Sequence, residues 1–104
     1  AVAEAIVLAE ASGVDPQMLQ QALAGGFADS KILQIHGTRM INRAYTPGGK
    51  ASTQLKDLRL AQSIAAAAAL TLPHLEDTIA RYEQLIALGH AGLDQSALHL
   101  LLTQ

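Results

Sequence analysis

The sequence contains no cysteine and no tryptophan. Without a thiol it can form no disulfide, no thiolate metal site and no cysteine nucleophile. Only Phe27, Tyr45 and Tyr82 are aromatic, so a core must be built from close-packed aliphatic side chains. No apolar run approaches the roughly 20 residues that a bilayer requires. The apolar segment Ile64 to Leu72 is short and mostly alanine. Charge of neither sign dominates: seven Lys and Arg face nine Asp and Glu, with no basic run. That balance lacks the electrostatic footprint of a nucleic-acid-binding surface. No segment alternates with period two, so no strand is expected. Zinc-ligand spacing, a phosphate-loop glycine pattern and a repeat of 20 to 50 residues (about the range of solenoids) are also missing.

The first residues, Ala1-Val2-Ala3-Glu4-Ala5, carry no basic region and do not read as a signal peptide. The expectation is a cytoplasmic protein that does not enter a membrane. The chain starts in mid-pattern, without Met or a helix cap, which reads as a cut inside a helix of something larger.

What the sequence does have is helix. At 104 residues it is about one domain, and half its residues are hydrophobic, enough for a core. Ala1 to Ser12 shows Val2, Ala5, Ile6 and Ala9 at helical spacing, with Gly13 as a natural stop. Asp15-Pro16 restarts a helix as cap and first-turn proline, running to about Ala24 before Gly25-Gly26. Asp29 or Ser30 caps a third helix to about Met40, with Ile32, Leu33, Ile35 and Met40 as core candidates. Gly37 weakens it by up to ~1 kcal/mol relative to Ala, so a break is expected there. Thr46-Pro47-Gly48-Gly49 cannot be helix interior. A fourth helix spans about Ser52 to Leu70, with a stripe of Leu55, Leu58, Ala61, Ala65 and Ala69 widened by Leu60, Ile64 and Ala68. Pro73 opens a fifth helix to about Leu88, with Leu75, Ile79, Tyr82, Leu85 and Ile86 inward and Gly89 as its stop. Gln95 to Leu102 forms the last. The expected fold class is all-α, a bundle of about six helices in a single domain, 1–104.

Few residues offer chemistry. Lys56 lies in the first turns of an apolar helix, where a flexible point charge can meet a carboxylate or phosphate beside a cleft. Read from spacing alone, Lys56, Asp57 and Arg59 equally describe a solvated helix face. No two of His36, His74, His90 and His99 share i,i+4 spacing with a carboxylate. They read as surface or boundary residues, and no metal site is expected. Glu76 and Asp77 suit the dipole at the start of the fifth helix. No serine lies in a nucleophile-elbow sequence or beside a base.

The order of motifs is more specific than any one of them. Ala3-Glu4-Ala5 and Leu8 through Pro16 are followed by Ala24-Gly25-Gly26-Phe27-Ala28-Asp29-Ser30, Arg39-Met40, Tyr45-Thr46-Pro47-Gly48 and Leu55-Lys56-Asp57-Leu58-Arg59-Leu60-Ala61. Leu72-Pro73 and Gly92-Leu93-Asp94-Gln95-Ser96-Ala97 complete the series. Over essentially its whole length the chain resembles the C-terminal helical domain of the β-hydroxyacid dehydrogenases, the 3-hydroxyisobutyrate dehydrogenase family. The implied fold is that of the C-terminal domain of 6-phosphogluconate dehydrogenase-like proteins.

The resemblance implies an NAD- or NADP-dependent oxidoreductase acting on small 3-hydroxy acids. A preceding Rossmann domain would carry most of the dinucleotide. The helical domain would close the cleft and supply much of a homodimer interface. The catalytic lysine of such enzymes lies in a Gly-x-Gly-x-x-x-Lys-x-x-Asn-Asn segment that this chain does not contain. No catalytic residue is therefore expected here, and the chain alone would be inactive. The Lys-Asp-Leu motif matches Lys56, Asp57 and Leu58. The resemblance makes Lys56 a cofactor- or substrate-side cation and Asp57 a cleft residue that orients its neighbours. The aromatic residue common in the family seven positions before that lysine is here Gly49, which implies a roomier or looser pocket. Two readings follow: the cleft-closing domain of a dehydrogenase, or a structural helical dimerisation module with no ligand site. The poly-alanine half of the fourth helix and the terminal leucines Leu98, Leu100, Leu101 and Leu102 favour the second. A DNA-binding domain ranks far behind both.

Overall fold

The computed structural model describes residues 1–103. Helices α1 (Val2–Ala11), α2 (Pro16–Leu23), α3 (Lys31–Ile41), α4 (Ala51–Ala67) and α5 (Pro73–Ala87) are followed by a 3₁₀ helix, Gln95–Leu102. Among the described residues no strand forms; one isolated antiparallel bridge joins Lys50 to Asp94. No described helix is long and apolar enough to cross a membrane.

The local signals act as their chemistry demands. The Asp15 carboxylate accepts from Gln17 N at 2.9 Å with Pro16 in the first turn. Ser30 caps α3, its Oγ accepting from Leu33 N at 2.8 Å. Asp29 serves the preceding turn instead, accepting from Gly25 N and Ser30 N. The expected break at Gly37 does not occur. Gly37 is buried within a continuous α3, and a Cβ there would meet the Gln20 amide at 3.0 Å. Gln20, on α2, donates across that gap to Leu33 O and Thr38 Oγ1, so the glycine is a close-approach residue.

The main core joins Tyr45, Ala51, Leu55, Ile79, Tyr82, Leu85 and Ala97, with Leu98, Leu100 and Leu101 packed against it. α4 lies along α5, and the 3₁₀ helix touches α1, α3, α4 and α5. Most of the terminal leucines thus find partners inside the chain and give little support to an interface of their own. Ile6 and Ala9 of α1 and Leu33 and Met40 of α3 are buried on the other side. Ile32 and Ile35 are exposed, contrary to the expectation from spacing.

α4 departs furthest from expectation. It ends at Ala67, and Ala69 sits at φ 57°, outside the helix. Its inner face is Ala51, Leu55 and Ala65, while Leu60 and Ile64 turn to the surface. The apolar residues expected to form one wide stripe therefore form two faces, one packed and one bare.

Candidate functional site

α4 is anchored at its start by a buried carboxylate. Its first free N–H groups have carbonyl partners: Ala51 N donates to Leu93 O at 2.8 Å and Ser52 N to Ala91 O at 3.1 Å. Just before them, Gly48 N and Gly49 N donate to Asp94 Oδ1 at 2.9 and 3.2 Å. Arg39 Nη1 reaches the same oxygen at 2.7 Å, while Ser96 N and Oγ donate to Oδ2. Asp94 is 0 % exposed. Burial alone would push its carboxyl pKa up. The Ser96 hydroxyl and the Ser96, Gly48 and Gly49 amides overcome this and hold it well below the usual carboxylate range.

His99 is a second buried polar group, also 0 % exposed, which corrects its expected place at the surface. Its Nδ1 lies 2.8 Å from Tyr45 Oη, and Arg43 Nη1 is 2.9 Å from its ring nitrogens. Arg43 also reaches Glu10 Oε2 at 3.1 Å. Burial, then the neighbouring guanidinium, push the imidazole pKa down, so the ring favours its neutral form. Burial likewise raises the Tyr82 hydroxyl to about 12, and Tyr82 Oη donates to Gln95 O at 3.0 Å. Among the described residues every buried side-chain polar atom has a partner, and no cluster of His, Cys, Asp and Glu could hold a metal.

Lys56 stands on the outer side of α4, its side chain 70 % exposed. Asp57 Oδ1 is 4.0 Å from Nζ, at the limit of an ion pair, and both groups are solvated. Lys56 lines an open depression of about 370 Å³. Arg59 is its other cation, Ser52 and Ser63 bring hydroxyls, and Leu55, Leu60 and Ile86 are apolar walls. No acidic side chain lines it. This set fits an anionic group on a small carbon skeleton, whether a carboxylate or a phosphorylated cofactor. A larger depression of about 600 Å³, near the α4–α5 turn, has no cation in its lining. Size alone would favour that one; donor chemistry favours the depression beside Lys56.

Of the three expected site residues, only Lys56 lines this depression. Asp57 is adjacent to it. Gly49 instead belongs to the Asp94 loop, where its carbonyl accepts from Gln95 N at 2.8 Å. A Cβ at Gly49 would meet Gln95 Nε2 at 3.2 Å, so that amide occupies the space next to it. Asp94 and Arg39 escaped notice as partners because 55 residues separate them. The leucines around His99 were the signal that it would be buried.

The family model for the NAD-binding domain of NADP-dependent 3-hydroxyisobutyrate dehydrogenase matches residues 1–102. The chain is similar to 2-hydroxy-3-oxopropionate reductase of Escherichia coli strain K12, 46 % identical over 98 residues, 94 % of this chain and 34 % of that protein. It is also similar to the probable 3-hydroxyisobutyrate dehydrogenase-like 1, mitochondrial, of Arabidopsis thaliana, 30 % identical over 95 % of this chain and 30 % of that protein. The chain thus spans about a third of the length of these curated relatives. Among solved structures, a Mycobacterium tuberculosis 3-hydroxyisobutyrate dehydrogenase with L-serine superimposes with a TM-score of 0.84 at 29 % identity, covering 99 % of this chain and 38 % of that one. The Salmonella typhimurium 3-hydroxyisobutyrate dehydrogenase shares the fold, with a TM-score of 0.89 at 22 % identity over 96 % of this chain and 35 % of that one. A match across residues 1–102, together with these relatives, means that the chain belongs to the 3-hydroxyisobutyrate dehydrogenase family.

Proposed function

We propose that the chain is the C-terminal, cleft-closing and dimerising helical domain of a cytoplasmic, NAD(P)-dependent 3-hydroxy acid dehydrogenase. On this reading the chain is inactive without a Rossmann domain. The observation that carries it is the placement of Lys56. The lysine of the Lys-Asp-Leu motif is free of the core and lines a depression with a second cation and no acid. The relative at 46 % identity is named for reducing 2-hydroxy-3-oxopropionate, a small acid with a 3-oxo group. That supports a short carboxylate substrate interconverted between 3-oxo and 3-hydroxy forms.

The nicotinamide, when bound, exchanges a hydride with the substrate's oxygen-bearing carbon. This chain's contribution is binding and orientation. Lys56 offers its ammonium to a carboxylate or phosphate oxygen. Asp57, beside it in the motif, serves as a cleft residue that orients its neighbours. Gly49 acts only indirectly, through the Asp94 loop that leads into α4. Leu55, Leu60 and Ile86 give the depression an apolar wall. On this reading the reaction's proton is moved by a group outside this chain.

In the full-length enzyme, Lys56→Ala should raise KM for the acid or for the nicotinamide by about tenfold, the loss of one charge-assisted contact. Unchanged steady-state constants would remove Lys56 from the site. The alternative, a dimerisation module without a ligand site, draws on the bare outer face of α4, with Ile64 71 % exposed. It predicts no kinetic response at Lys56.

A further inference from the structure

We infer that Arg59 is a second anion-holding residue of this site, beside Lys56, and that Glu83 competes with the ligand for its guanidinium. This rests on the cleft reading of α4 given above. Residues three apart on a helix are neighbours on one face, so Lys56 and Arg59 stand side by side. Both line the same depression, with Ser52 one turn before Lys56 and Ser63 one turn after Arg59. The Ser63 hydroxyl donates to Arg59 O at 3.1 Å, so Ser52 is the hydroxyl better placed to serve a ligand.

Arg59 has five N–H donors in a rigid fork. One reaches a carboxylate: Nη2 to Glu83 Oε1 at 3.1 Å. The side chains of that pair are 55 % and 51 % exposed, so water solvates both partners and the pair adds little to the fold. An incoming oxyanion therefore exchanges one oxygen partner of Arg59 for another at small cost. The planar fork can grip two oxygens of a carboxylate or phosphate, whereas Lys56 supplies a point charge. The acidic groups nearest the two cations, Asp57 and Glu83, both lie outside the lining. The ligand chemistry is an oxyanion on a carbon skeleton, whose source is either the substrate carboxylate or a cofactor phosphate.

The test measures KM for 2-hydroxy-3-oxopropionate and, by fluorescence titration, Kd for NADPH and NADH in the full-length enzyme and four variants. Arg59→Gln should raise one of these constants about fivefold to tenfold, with kcat little changed. A rise for the acid names the carboxylate; a rise for a nicotinamide names the phosphate. Glu83→Gln should lower the same constant, because the fork no longer has a competing carboxylate. Arg59→Lys should restore it only in part, since the charge returns without the fork. If Lys56→Ala weakens binding while Arg59→Gln leaves all constants within about twofold, Arg59 is a solvated charge and the cleft reading survives without it. If both variants are silent, the two readings fall together. Glu83→Gln is half-exposed and decides the matter even where Arg59→Gln does not fold: a rise with that variant overturns the inference.

Discussion

Asp94 shows how one residue can set the shape of the loop that leads into α4. Its two oxygens take five donors from Arg39, Gly48, Gly49 and Ser96. Arg39 is about one-third exposed and can turn to water; the Gly48, Gly49 and Ser96 amides cannot all do so. Asp94→Ala should therefore destabilise the protein by about 3 kcal/mol, measured by urea unfolding, mostly through amides left without an acceptor. The pH dependence has a definite sign. The folded pKa is depressed, so the carboxylate's stabilisation is complete above the unfolded value of about 3.9 and is lost as pH falls toward the folded value. The gap between wild type and Asp94→Asn should narrow as pH drops below about 4. A gap constant across that range would mean that the carboxylate's charge is not what the amides hold. None of this was legible from local pattern. Asp94 precedes the segment Gln95–Leu102 and caps it through Ser96 N. Its other partners come from 45 to 55 residues away, and a single sequence gives no signal at that range.

At the scale of elements, four helices end with the same geometry. After α1, α3, α4 and α5 the chain enters the left-handed region, at Gly13, Arg43, Ala69 and Gly89. Paired backbone bonds then satisfy the last carbonyls. After α4 these are Ala69 N to Ala66 O at 3.0 Å and Leu70 N to Ala65 O at 2.9 Å. The ends that fall on glycine were legible, because glycine is the residue that adopts this conformation without strain. The end at Ala69 was not, because an alanine in an alanine run looks like helix interior. What turns the chain there is the need to leave α4 before Pro73 starts α5, with Leu72 held extended. Ala69 consequently bears strain that glycine would relieve. It is solvent-exposed, so Ala69→Gly removes little packing. That substitution should stabilise the protein by about 0.5–1 kcal/mol, after allowing for the greater freedom of glycine in the unfolded chain. A thermal midpoint raised by a few degrees would bear this out; a lowered one would show that the turn tolerates alanine without strain. The site follows the same division. Lys56 was recognisable because its motif is contiguous, whereas the depression it lines also needs Ile86 from α5.

Across the whole molecule, the core is complete without the outer face of α4. The inner face packs on α5 and the 3₁₀ helix, yet Leu60 and Ile64 remain 58 % and 71 % exposed, with exposed Ala61 and Ala67 on the same helix. Small residues around two large apolar ones let a second helix approach closely. An apolar stripe of this kind is expected to be covered in a soluble assembly. Leu60 also lines the anion depression, so whatever covers the stripe borders the site. The proposed homodimer is tested at Ile64, which lines none of the depressions described above and contributes little to the chain's own core. Ile64→Glu places a carboxylate on the stripe, and a two-fold interface would carry the substitution twice. The full-length wild type should show a mass above one subunit by light scattering. Ile64→Glu should shift that mass toward a monomer as concentration falls, with an unchanged far-ultraviolet circular dichroism spectrum. If the mass is unchanged while KM rises, the stripe packs against another part of the same polypeptide, and the dimer contact must lie elsewhere. If neither moves, the outer face of α4 is plain surface, and the reading of this domain as the dimerising one loses its main structural support.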